Sequence, residues 1–231
     1  MRSKIAGAFL VAVLGVLLGA AAFPADAVAA ESDKAVKLPP PKTDGGLALN
    51  RALAVRRSNR SLDQKPIALE TLSQLLWAAQ GIADEKGHRT APSARPVYAL
   101  EVYVLAGNVT GLAAGTYKFM PAGHELRLLS AGDRREEMVK QAIGQAWIKA
   151  APAVVVITGV KERMSAKGGE KAVKWVYVEA GLAAENFLLE VAALGLASTY
   201  VGGFDTEGLH KFLGLPAGEE PIAVLPVGVP K

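Results

Sequence analysis

Ala153-Val154-Val155-Val156-Ile157-Thr158 is a short, unbroken apolar run rich in β-branched residues. A strand with one wet face alternates; one without alternation is covered on both sides, so this run reads as a central strand. Working outward, Trp175 to Leu194 carries the longest helical pattern in the chain, apolar nearly all round and broken only by Glu179, Glu185, Asn186 and Glu190. Such a helix is buried, in the core or at a subunit interface, and Gly195 ends it. On the other side, Arg134 to Ala146 reads as a helix. Gly115 to Phe119 and Glu125 to Leu129 form a hairpin around Pro121-Ala122-Gly123, and Val97 to Ala106 alternates as a strand.

The remaining segments complete one domain. Leu47 to Arg57 and Ala68 to Gly81 read as two helices, the second with Leu69, Leu72, Leu75, Leu76 and Ala79 at helical spacing. Ile82 to Pro96 is a loop, and Lys161 to Lys174 a mobile polar one. A short helix from Thr206 to Leu213 precedes a last apolar strand, Ile222 to Gly228. No repeat is evident. Helices mixed with a few strands predict an α+β fold with a single mixed, mainly antiparallel sheet flanked by helices.

At the end of the first helix lies Val55-Arg56-Arg57-Ser58-Asn59-Arg60, followed by Ser61. One reading is a solvated basic face, the common fate of a charge run. The other is an anion site. In an extended chain Arg56, Ser58 and Arg60 alternate to one side and grip a phosphate together, with Arg57 pointing elsewhere.

Composition narrows the chemistry. With no cysteine, disulfides, thiol nucleophiles and thiolate metal sites are excluded, and His88, His124 and His210 are isolated, so no metal site is expected. Arg2-Ser3-Lys4, the apolar run Ile5 to Phe23 and Ala27-Val28-Ala29 read as a signal peptide, residues 1–29, cleaved before Ala30. An uncleaved anchor is the rival. A periplasmic or secreted protein follows, with no stable membrane association after cleavage. Removal of the leader takes the formal charge from +4 to +3, an excess that suits an anionic ligand and not a nucleic-acid surface. Residues 30–46, with Pro39-Pro40-Pro41, form a proline-containing arm: a disordered leader, or a strap across a partner subunit. The domain proper is then 47–231.

Taken together, the order and spacing of these landmarks resemble the nitroreductase family of FMN-dependent oxidoreductases, in its SagB-type or nitroreductase-like branch. The resemblance spans Leu38 to Lys231. It implies that Arg56, Arg57, Ser58 and Arg60 bind the flavin phosphate and ribityl chain. It implies further that the loop holding Pro92, Ser93 and Arg95 lies along the isoalloxazine ring, with Pro96 where many members carry Asn. Gln145, after Gly144, matches a residue near the pyrimidine edge; a surface glutamine is the alternative. Gly202-Gly203-Phe204-Asp205 matches a loop whose backbone amides face flavin N5 and O4, glycine allowing close approach and positive φ. Lys231 resembles a basic residue closing over the phosphate. The long helix would form a homodimer interface, with both flavin sites between subunits.

The function these residues imply is that of an exported FMN-dependent oxidoreductase acting on a small organic substrate, with no side chain assigned as catalytic acid or base. NAD(P)H is the candidate reductant, yet it is scarce outside the cytoplasm. Either another donor serves or the enzyme oxidises its substrate, as azoline-forming relatives do. A non-catalytic flavin or nucleotide binder is the alternative, and an interaction protein with an empty site a third.

Overall fold

The computed structural model describes residues 35–231; the expected leader, residues 1–29, lies outside the described residues. The strands are β1 (Ala35–Lys37), β2 (Ile67–Ala68), β3 (Leu100–Ala106), β4 (Val109–Thr110), β5 (Gly115–Met120), β6 (Glu125–Ala131), β7 (Ala153–Val160), β8 (Ala197–Ser198) and β9 (Glu219–Gly228). The helices are α1 (Leu49–Val55), α2 (Leu69–Gln80), α3 (Arg135–Met138), α4 (Lys161–Gly168), α5 (Lys174–Ala193) and α6 (Thr206–Leu213).

Seven strands make one sheet in the order β1-β6-β5-β3-β7-β9-β8, every neighbour antiparallel. A two-strand parallel pairing lies outside it, between β2 and β4. The α+β expectation holds, and β7 is central, buried from Ala153 to Gly159. Its side chains alternate between two cores because successive residues of a strand point to opposite faces. Ala153, Val155 and Ile157 pack with α2 and α5 residues such as Leu72, Leu76, Ala183 and Phe187. Val154 and Val156 pack on the other face with Met138, Ile148, Leu209 and Phe212. The absence of polar alternation in β7 therefore reports two covered faces.

Close packing of α5 on this strand is visible at Gly159, where an added Cβ would lie 2.3 Å from Val176 Cγ1. At its other end α5 closes with Leu196 N–H donating to the Val191 carbonyl at 2.9 Å, Gly195 taking φ 69°. Helix α6 has the boundaries read from its sequence. Asp205 caps it by accepting the Glu207 N–H at 3.1 Å, and Gly214 ends it in the left-handed region.

Two expectations are corrected. The helix expected over Arg134–Ala146 is α3 followed by a π-helical turn, Val139–Ile143, and a 3-10 turn, Ala146–Ala150. Gly144 at φ 69° turns the chain out of the helix. The polar loop expected over Lys161–Lys174 contains α4 and a 3-10 turn, Glu170–Ala172, anchored by the fully buried Met164. Over its described residues the arm is ordered on its own chain. β1 covers the edge of β6, Leu38 is 7% exposed, and Lys42 exchanges hydrogen bonds of 2.8 and 3.1 Å with the Gln74 side chain of α2.

Candidate functional site

The basic segment leaves α1 and runs beside β8. Ser58 forms a parallel bridge with Ser198, and Asn59 N–H donates to the Ser198 carbonyl at 2.9 Å. The same segment then pairs with the C-terminus: Leu62 bridges Pro230, and the Lys231 N–H donates to the Ser61 carbonyl at 3.1 Å. Lys231 is thus tied by its backbone beside Arg56–Ser61.

The side chains divide the work. Arg57 Nη1 donates to the carbonyls of Ala54 and Arg56 at 3.1 and 2.7 Å, answering acceptors left open at the end of α1. Arg56, expected to face the anion with Ser58 and Arg60, has its Nε 3.3 Å from a carboxylate oxygen of Glu185 on α5 and also lines the cavity described below. The pairing has a plain cause, because α1 packs on α5 and brings a carboxylate the local sequence does not contain. Arg60 is exposed. Next to the segment is a cavity of about 230 Å³, lined among others by Arg56, Arg57, Asn59, Ser198 and Pro230. The Ser198 hydroxyl is buried and has no hydrogen-bond partner, a state that costs about 1–3 kcal/mol.

From Ser198 the chain continues to Val201, which exchanges backbone hydrogen bonds of 2.9 and 3.0 Å with Val224. Gly202 and Gly203 follow, both exposed. Gln145 Nε2 donates to the Gly203 carbonyl at 3.3 Å, while its Oε1 accepts the Trp147 indole N–H at 3.2 Å. Gln145 and the glycine pair, far apart in sequence, are therefore neighbours. Neither Gly202 nor Gly203 takes positive φ, contrary to the reason given for glycine there. What glycine provides at 203 is bare backbone, with nothing within 4 Å of where a Cβ would stand.

The Pro92–Arg95 loop is held by α4 and α5. Glu179, 4% exposed on α5, accepts the Ala94 N–H at 2.7 Å, and Arg95 Nη1 donates to the Lys167 carbonyl at 2.6 Å. Ser93 Oγ accepts the Tyr98 N–H at 2.8 Å. Burial pushes the Glu179 carboxyl above its ordinary range, and the Ala94 N–H and Ser93 hydroxyl oppose it. Arg95, Pro96 and Tyr98 take φ of 56°, 25° and 50°, a run of strained backbone beside these ties. Two tyrosines are engaged in the core: Tyr117 donates to the Ala113 carbonyl at 2.7 Å, and Tyr103 is buried, its phenol pushed far up by burial and by Glu219.

Glu179, Glu185, Asn59 and Ser198 were not singled out as site residues from sequence. The two glutamates had a signal, standing as rare charges in an apolar helix; Asn59 and Ser198 had none.

Residues 53–229 match the model of the Nitroreductase family. A nitroreductase-like protein of Methanocaldococcus jannaschii is 34% identical over 182 residues, 79% of this chain and 91% of the relative. Among solved structures, a nitroreductase-like protein of Ralstonia eutropha JMP134 superposes with TM-score 0.76 at 32% identity, covering 87% of this chain and 91% of the other. A chain of the Escherichia coli microcin synthetase McbBCD complex, bound to truncated pro-MccB17, shares the fold with TM-score 0.69 at 18% identity, over 93% of this chain and 85% of its own.

Proposed function

This chain belongs to the nitroreductase family, and from that premise we propose that it is an exported FMN-dependent oxidoreductase acting as a homodimer on a small organic substrate. The observation that carries the reading is one path of chain. It joins Arg56–Ser61 and Lys231, through Ser198, to Gly203 and Gln145.

The residues present fit the flavin. A buried hydroxyl without a partner at Ser198, a cavity walled by two arginines and Asn59, and bare backbone at Gly203 supply donors and room. Ser58, Arg60 and Lys231 would hold the phosphate, with Arg56 oriented by Glu185. Gln145 and the Gly202-Gly203 backbone would hold the ring edge. FMN, when bound, supplies reversible hydride transfer at N5. The protein's share is binding, orientation and N–H donors that favour negative charge on the ring.

Support for the homodimer comes from apolar side chains left open on two packed helices: Leu49 and Leu53 of α1, and Trp175, Val178 and Leu182 of α5. Export follows from the leader-like residues 1–29. In that compartment we assign either a donor other than NAD(P)H or the oxidising direction, as in the SagB-type branch, to which the fold likeness with the microcin synthetase chain lends support. The non-catalytic binder is favoured by Pro96 alone, which stands at φ 25° where many members carry Asn.

Anaerobic titration of the FMN-loaded mature protein with NADH, then with dithionite, followed by addition of a nitroaromatic acceptor, tests the reading. Bleaching by a donor and reoxidation by the acceptor are expected. A bound flavin that dithionite bleaches but no acceptor reoxidises would favour the binder.

A further inference from the structure

The segment expected to be a loop builds a second concave surface. α4 and the turn Glu170–Ala172 fold back beside the Pro92–Arg95 loop and enclose with it a cavity of about 240 Å³. Ala94, Arg95, Met164, Lys171, Lys174 and Trp175 are among its lining. Its floor is apolar: Met164 is fully buried and Ala94 half-buried. Its rim is cationic.

Those cations are left uncompensated. Of the neighbouring bases, Arg163 is paired with Glu101 at 2.6 Å and Lys161 with Glu220. Among the described residues, Arg95, Lys171 and Lys174 have no carboxylate within salt-bridge distance. The carboxylates of the same segment do not close the gap: Glu162 lies against Gly218, and Glu170 is exposed on its turn. Lys174 Nζ stands 5.0 Å over the Trp175 ring. Arg95 is not a loose surface chain either, since its guanidinium is held by the Lys167 carbonyl at 2.6 Å and its loop by Glu179. Three like charges gathered round a partly apolar hollow repel one another, and an entering anion relieves that repulsion.

We propose that this cavity is the substrate-recognition subsite of the oxidoreductase and selects small single-ring substrates that carry a carboxylate; the assignment rests on the proposed function, which puts the Pro92–Arg95 loop beside the flavin. The planar fork of Arg95 matches the planar carboxylate, Lys171 and Lys174 add charge, and Trp175 with Met164 receives the ring. The volume is below that of sites for drug-sized ligands, which limits the ligand to about one ring.

The test uses the mature full-length protein as purified. Binding of 4-nitrobenzoate and of the neutral 4-nitrobenzyl alcohol is measured by calorimetry for wild type and for Lys171→Ala/Lys174→Ala, with the visible flavin spectrum recorded on each sample. The wild type is expected to prefer the carboxylate by about tenfold, the preference shrinking as salt rises. In the double variant the preference is lost and the flavin spectrum unchanged. Equal affinity for the two probes, or a preference that survives the double substitution, would overturn the proposal. Displacement of 4-nitrobenzoate by equimolar inorganic phosphate would overturn the carboxylate assignment. A colourless protein that keeps the preference sinks the flavin reading and leaves the anion subsite standing; a yellow protein without preference does the reverse.

Discussion

Asn59 donates its backbone N–H to the carbonyl of Ser198 at 2.9 Å, and this tie sets the basic segment alongside the strand that leads to Gly202 and Gly203. Its consequence is a Ser198 hydroxyl shut away from water without a partner. In the protein without ligand that hydroxyl is a burden; beside a phosphate or ribityl oxygen it is a donor.

Replacing Ser198 by Ala separates the two roles. Thermal unfolding without FMN should show the variant as stable as wild type or about 1 kcal/mol more stable, since an unsatisfied buried group is removed. Flavin fluorescence titration should show FMN affinity reduced by about threefold to tenfold, the loss of one hydrogen bond. Unchanged affinity would remove Ser198 from the site.

Glu179 holds the Pro92–Arg95 loop through Ala94, and burial raises its carboxyl above the unfolded value of 4.5. A raised acid favours its neutral form in the fold. Its contribution is therefore fully present below about pH 4.5 and is lost as pH rises through the folded value. Glu179→Gln should flatten the pH dependence of stability in that window. Glu179→Ala, which strands the Ala94 N–H, should cost about 1–3 kcal/mol by urea unfolding.

The arm is pinned through His124, whose Nε2 lies 2.8 Å from Ser73 Oγ and 3.0 Å from the Pro39 carbonyl. Burial lowers its pKa from the ordinary 6.5, aided by Lys37 and opposed by the Pro39 carbonyl. For a depressed base the stabilisation is present above about pH 6.5 and is lost as pH falls through the folded value. Amide protection of residues 35–38 should fall on acidification in that range, and His124→Asn should remove the pH dependence.

Leu182 is 42% exposed on α5, amid Trp175 and Val178. If that face joins two copies, Leu182→Glu places a charge in an apolar contact and should shift the protein from dimer to monomer in sedimentation at micromolar concentration, with loss of bound FMN. A wild type that sediments as a monomer would contradict the homodimer.

Much of the fold was legible because its signals are local. The unbroken run of β7 reported two covered faces, and α6 was bracketed by Asp205 and Gly214. What was missed depends on distant partners. α4 carries one buried apolar anchor, Met164, too few to set a period. β1 is three residues whose strand character comes from the edge of β6. At the site, the arginine cluster was visible as charge, but the Arg56–Glu185 pair and the partnerless Ser198 hydroxyl exist only after α1, α5 and β8 have packed.

The central claim is a flavin held by the basic segment, and the visible absorption spectrum of the protein purified from Ala30 onward tests it most directly, with Arg56→Ala/Arg60→Ala measured beside it. A yellow wild type with the visible band of an oxidised flavin is expected, beside a colourless double variant of the same fold by circular dichroism. A wild type that is colourless and stays so after incubation with FMN, or a double variant as yellow as wild type, would contradict it.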